Sequence, residues 1–126
     1  MSELTPYIAV NDARAAIDWY VEHLGAVVTF DPIVMPDGRI GHCELSIDGA
    51  EWMMADQHPE LHVEAPIPGR GTAVTLHLTV QDVDALTKRA VAGGAVLDRG
   101  PEDDRVGRVA VFRDPFGHRW FVLRPA

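Results

Sequence analysis

Apolar and polar positions follow one pattern twice along this chain. A short apolar stretch, Pro6 to Val10, ends at an aspartate, Asp12, which suits a helix N-cap. Ala13, Ala16, Ile17, Tyr20, Val21 and Leu24 then recur at helical spacing and form one stripe. The second half does the same: Val74 to Val80 leads to Asp82, and Val83, Leu86, Ala90 and Val91 form the stripe. Each predicted helix stops at glycine, Gly25 or the pair Gly93 and Gly94, as a left-handed C-cap requires. Three short strands are predicted after each helix. They run from about Val27 to Pro32, Ile40 to Ile47 and Glu51 to Ala55, then Ala95 to Asp98, Arg108 to Phe112 and Arg119 to Leu123. "MPDGR" and "DPFG" supply turns between them.

The two patterns are copies. Val10 aligns with Val80, Asp12 with Asp82, Ala15 with Ala85, Gly25 with Gly94, Gly49 with Gly117 and Trp52 with Trp120. The offset stays between 68 and 70 positions, so the chain reads as a duplicated β-α-β-β-β unit and not as a solenoid. Unit one is expected over residues 1–56 and unit two over 74–126, within one domain spanning 1–126. The segment between them, 57–73, is rich in proline and glycine and is long enough to serve as a lid or binding loop. "DRGPEDDRVG", Asp98 to Gly107, reads as a second polar loop.

Composition narrows the class. A chain of 126 residues with 47% hydrophobic and 24% charged residues has the makeup of one globular domain. Its single cysteine, Cys43, excludes an internal disulfide and fits a reducing compartment. The opening "MSELTPYIAV" has no basic n-region and no long apolar run, so neither a signal peptide nor a membrane span is expected. A net charge of −8 with scattered Lys and Arg argues against nucleic acid as a partner. A soluble cytoplasmic protein is the expectation.

The doubled unit, together with "MPDGRIGHCELSIDGAEWMMAD", "VQDVDAL" and "DPFGHRW", resembles the vicinal oxygen chelate (VOC) superfamily, in its PhnB-like glyoxalase/bleomycin-resistance/dioxygenase branch. The resemblance covers nearly the whole chain. It implies an α+β fold in which two tandem βαβββ units form a cupped mixed sheet with helices on the outer face. It also implies a homodimer and, in metal enzymes of the group, four ligands on the concave face. Those ligands stand on the first and last strand of each unit. Here the matching positions are Thr5, Met53, Thr75 and Phe121, none of them an ordinary ligand for a divalent cation. The usual chelate is therefore missing, and whether the chain is an enzyme stays open.

Alternation along the strands predicts which side chains enter the cup. Ile8, Val10, Leu76, Leu78 and Val80 should face the helices, with Thr5, Tyr7, Ala9, Thr75, His77 and Thr79 on the concave side. In "IGHCELSI", His42, Glu44 and Ser46 share the concave face, opposite Gly41, Cys43, Leu45 and Ile47. His42, Glu44 and His77 would form an alternative two-histidine, one-carboxylate site for one divalent metal if the units bring them together. The blander reading makes them pocket polar groups. In "HPELHVE", His58, Glu60, His62 and Glu64 also have ligand spacing, but the proline and turn-rich setting favour a solvated loop. His118 reads as a turn residue, His23 as a C-terminal helix residue, and Cys43 as inert core.

The expected ligand-binding face comprises Tyr7, His42, Glu44, Met53, His77, Arg108, Phe112, Arg119 and Phe121, with Trp19 and Trp52 as further candidates that could equally pack under the helices. Aromatic and methionine walls with a few polar groups suit a small molecule. Glu44 would favour a cationic ligand or pair with Arg108. The leading expectation is a protein that needs no cofactor and sequesters a planar or cationic small molecule, as bleomycin-resistance proteins do. The alternative is a lyase, isomerase or dioxygenase using His42 and Glu44 as an acid–base pair or metal site. A structural or regulatory dimer with a filled cup is a third reading.

Overall fold

The computed structural model describes residues 1–126. The chain divides into two compact units, Met1–Pro66 and Ile67–Ala126, so the boundary falls inside the proline-rich segment. Unit one contains β1 (Tyr7–Val10), α1 (Ala13–Leu24), β2 (Val27–Val34), β3 (Ile40–Ile47) and β4 (Ala50–Asp56). Unit two repeats the order with β5 (Thr75–Thr79), α2 (Val83–Ala92), β6 (Val96–Asp103), β7 (Gly107–Arg113) and β8 (Arg119–Pro125). The sheets are four-stranded, in the order β1-β4-β3-β2 and β5-β8-β7-β6. The first strand of each unit lies parallel to the last, and the other pairings are antiparallel. The α+β duplication is thus realised strand for strand.

The helices start and stop where the sequence directs. Asp12 accepts the Ala15 N–H and Asp82 the Ala85 N–H, so one orphan amide at each helix start is satisfied. Gly25 ends α1 in the left-handed region at φ 70°. A second carboxylate supports α1. Asp56, at the end of β4, accepts the Ala13 N–H at 2.7 Å and the Ile40 N–H at 2.7 Å, tying the helix start to the start of β3. In unit two Asp114, itself buried, accepts the Phe116 and His118 amides and the Trp120 indole N–H, fixing the β7–β8 turn.

Each helix covers one face of its sheet. Trp19 and Tyr20 of α1 pack edge to face at 5.5 Å, and Tyr20 meets Trp52 of β4 in the same way. Ile8, Cys43, Leu45 and Met54 complete this core. In unit two Leu78, Leu86, Ala90, Trp120 and Val122 are its counterparts. Trp19 and Trp52 are therefore core residues of the helix-covered side.

Both second strands run longer than expected. The polar stretch Asp98 to Gly107 is mostly strand, because β6 extends to Asp103 and pairs Arg99 with Val111 and Glu102 with Val109. The correction has a local cause. Pro32 in β2 and Pro101 in β6 cannot donate to the ladder, and each sits where the register shifts, so the strand continues past an irregularity instead of ending. Gly100 makes room for this: its φ is 71°, and a β-carbon there would run into the Val109 carbonyl oxygen. The 57–73 segment is less irregular than its composition implies. It carries a 3-10 turn at Pro59–Leu61 and a bridge between His58 and Val63. No helix is long and apolar enough to cross a membrane.

Candidate functional site

Register decides which side chains share the helix-free face of each sheet. In unit one Tyr7, Met53, Glu44 and Phe30 lie in one row across four strands, with His42 opposite Ile33 in the next. The Tyr7 hydroxyl lies 2.6 Å from His42 Nδ1, and His42 Nε2 lies 2.8 Å from a Glu44 carboxylate oxygen. A carboxylate accepts and cannot donate, so in the neutral imidazole Nε2 carries the proton and Nδ1 accepts the Tyr7 O–H. The Gly41 carbonyl, at 3.2 Å, is the hydroxyl's second available acceptor. The rings of Tyr7 and Phe30 both meet the His42 imidazole edge to face at 5.3 Å. Desolvation, then the neighbouring Cys43 and Glu44, hold the Tyr7 phenol above its ordinary pKa, so it is a neutral hydroxyl near neutral pH.

Phe30 and Ile33 are additions that strand-by-strand alternation missed. They stand among the register shifts of β2, where parity counting fails, and both remain exposed. Ser46, expected beside His42 and Glu44, is buried.

In unit two His77 and Phe121 are register partners with stacked rings, 5.3 Å between centroids and 17° between planes. The Arg99 guanidinium sits 6.0 Å from the Phe121 centroid. Two register positions away, Arg119 lies opposite Thr75 on one side and Arg113 on the other. Arg119 donates to the Thr75 hydroxyl at 2.8 Å, whereas Arg113 forms a two-point pair with Asp98 at 2.8 and 3.0 Å. Arg99, Thr75 and Arg113 are members of this face that alternation alone did not mark as ligand-binding.

Two expected site residues stand on the other side. Phe112 lies opposite the core tryptophan Trp120 and is 0% exposed. Arg108, of the same parity, reaches Asp84 on α2 through two hydrogen bonds at 2.9 and 2.8 Å, with Asp103 at 3.4 Å. Both therefore face the helix, and Arg108 is the partner of Asp84, not of Glu44. The physical reason lies in β7: Val109, Ala110, Val111 and Phe112 are all buried, so the strand has no polar face to reveal its parity.

The inherited metal positions do not fit a divalent ion. Thr5, Met53, Thr75 and Phe121 offer two hydroxyls, a thioether and a phenyl ring. No three His, Cys, Asp or Glu side chains gather as a group able to hold a metal. In the 57–73 segment, Glu60 is engaged by Arg39 at 2.7 Å, and His58 Nδ1 lies 2.8 Å from the Asp56 carbonyl. Cys43 is buried, and desolvation with the nearby Asp56 and Glu44 pushes its thiol up to about 11, which leaves it unreactive. A separate surface cavity of about 510 Å³ opens beside the start of α1, lined by Asn11, Asp12, Arg14, Arg39 and Gln57 among others. It lies apart from the Tyr7–His42–Glu44 chain, and Arg39 is already taken by Asp37, Glu60 and the Gln57 carbonyl.

A doubled βαβββ fold with this helix-free face defines the class. Residues 4–122 match the Glyoxalase/Bleomycin resistance protein/Dioxygenase superfamily, and the chain belongs to it. An uncharacterized protein of Mycobacterium bovis is 40% identical over 97% of this chain and 82% of its own length. The anthracycline biosynthesis protein DnrV of Streptomyces peucetius is 31% identical over 90% of this chain, which spans 43% of that protein. Among solved structures, TnmS3, an antibiotic binding protein from Streptomyces sp. CB03234, superposes with a TM-score of 0.71 at 26% identity, over 100% of this chain and 98% of that one.

Proposed function

We propose that the protein is a metal-independent binder that sequesters a planar small molecule, acting as a cytoplasmic homodimer. The observation that carries this reading is the replacement of the metal positions on β4 and β8 by Met53 and Phe121. These side chains stand in rows with Tyr7, Phe30 and His77, a lining that holds a flat ring by contact and stacking. The description of TnmS3 as an antibiotic binding protein and of DnrV as an anthracycline biosynthesis protein supports a small-molecule ligand. On unit one Glu44 adds a preference for a cationic group. Calorimetry with the neutral planar probe 2-naphthamide should show saturable binding that survives EDTA. Loss of binding with EDTA and its return with zinc would overturn the metal-independent reading.

The Tyr7–His42–Glu44 hydrogen-bond chain favours one second reading, a lyase or isomerase that uses His42 and Glu44 for proton transfer. Turnover lost in a folded His42→Ala variant supports it, and turnover unchanged in that variant rules out the pair as its acid–base machinery.

A further inference from the structure

Charge balance on the helix-free face of unit two is uneven, and the imbalance falls at one place. Arg113 and Arg119 are direct register partners on β7 and β8, which sets two guanidinium groups side by side on one face. Like charges directly opposite are destabilising in a sheet unless anions offset them. One carboxylate is present. Asp98 binds Arg113 at two points, and its pKa is lowered first by that hydrogen bond and also by the charge of Arg119. Arg119 itself is held by the neutral Thr75 hydroxyl.

Elsewhere in the unit the same arrangement is balanced. Arg108 and Arg124 are also register partners, on the helix side, where Asp84 and Asp103 both pair with Arg108 and Asp84 also feels the charge of Arg124. Arg99 has both Glu102 and Asp104. On the helix-free face the guanidinium without an ion-paired carboxylate is that of Arg119, in a chain whose net charge is −8. It is half-buried, and two register positions away on the same face the His77 and Phe121 rings stack.

We propose that Arg119 is a carboxylate anchor, and that unit two recognises an aromatic carboxylate whose ring lies against His77 and Phe121 while its carboxylate completes the Arg113–Asp98–Arg119 charge set. Thr75 orients the guanidinium by taking one of its N–H groups, leaving others to bind the carboxylate in the fork geometry that arginine favours. This rests on the planar-ligand reading above and names the acidic group that such a ligand carries.

The test is calorimetry of the full chain with three probes of one shape: 2-naphthoate, neutral 2-naphthamide and cationic 2-naphthylmethylammonium. The wild type should prefer the carboxylate to the amide by about tenfold, the worth of one charge-assisted contact. Arg119→Gln should erase that preference. Asp98→Asn should increase the preference, because it removes the competing carboxylate; a purely structural role for Arg119 predicts no such gain. Equal binding of naphthoate and naphthamide by the wild type, or an undiminished preference in a folded Arg119→Gln variant, overturns the anchor but leaves the planar-ligand reading standing. Failure of all three probes to bind overturns both.

Discussion

The Tyr7 hydroxyl and the His42 imidazole approach to 2.6 Å, while the other imidazole nitrogen is bound to Glu44. This contact links β1 to β3 over an intervening strand, β4, and gives His42 a defined proton position. Neutral His42 should show the Nε2–H tautomer in nitrogen-15 NMR of the imidazole. Glu44→Gln should mix the two tautomers, since an amide can donate as well as accept. Dominance of the Nδ1–H form in the wild type would reject the assignment.

Asp56 provides a stability test separate from ligand binding. Its two oxygens hold the amides of Ala13 and Ile40, so Asp56→Ala should cost about 1.5–3 kcal/mol in urea unfolding, the range for hydrogen bonds to a charged group. Asp56→Asn keeps one acceptor oxygen and should cost less. Equal losses for the two variants would show that the single oxygen kept by asparagine contributes nothing.

Phe112 separates core from site. With 0% exposure opposite Trp120, its replacement by alanine should destabilise the fold by about 3–5 kcal/mol. Near-wild-type stability together with weakened ligand binding would return Phe112 to the ligand face.

Alkaline stability should report on Cys43. Its thiol is raised from 9.0 to about 11 in the folded chain. Below about pH 9 both folded and unfolded chains keep the proton, and the term is neutral. Between about 9 and 11 the unfolded chain ionises first, so stability falls as pH rises, and the decline levels once the folded thiol ionises as well. Cys43→Ala should flatten the unfolding free energy across that window. Tyr7, also raised, adds a decline that begins near pH 10 and that Tyr7→Phe removes. An unchanged slope in both variants would mean that neither group keeps its raised value.

The helix-free face is legible in the sequence wherever a strand is short and amphipathic. Tyr7 and His77 stand opposite Ile8 and Leu78 by simple alternation, and the structure keeps that division. His42 and Glu44 were found the same way on β3, and the hydrogen bond between them confirms their shared side. Alternation carries no information in β7, where Val109 to Phe112 are buried on both faces, and there Arg108 and Phe112 face the helix and not the cup side that alternation predicts. In β2 and β6 the ladder shifts register more than once, so the positions of Phe30, Ile33 and Arg99 depend on irregularities that counting cannot follow.

By itself the sequence determined the duplicated βαβββ unit, the caps at Asp12, Asp82 and Gly25, and the loss of ordinary metal ligands at Thr5, Met53, Thr75 and Phe121. These features rest on local periodicity, on turn chemistry and on residue type, all written within a few positions of one another. Tertiary structure alone decided that Asp56 caps a helix begun 43 residues earlier, that Arg108 serves Asp84, and that Arg113 and Arg119 stand side by side while Asp98 pairs with Arg113. Such contacts follow strand register and helix docking, which are set by packing between segments distant in the chain, and no local pattern encodes them.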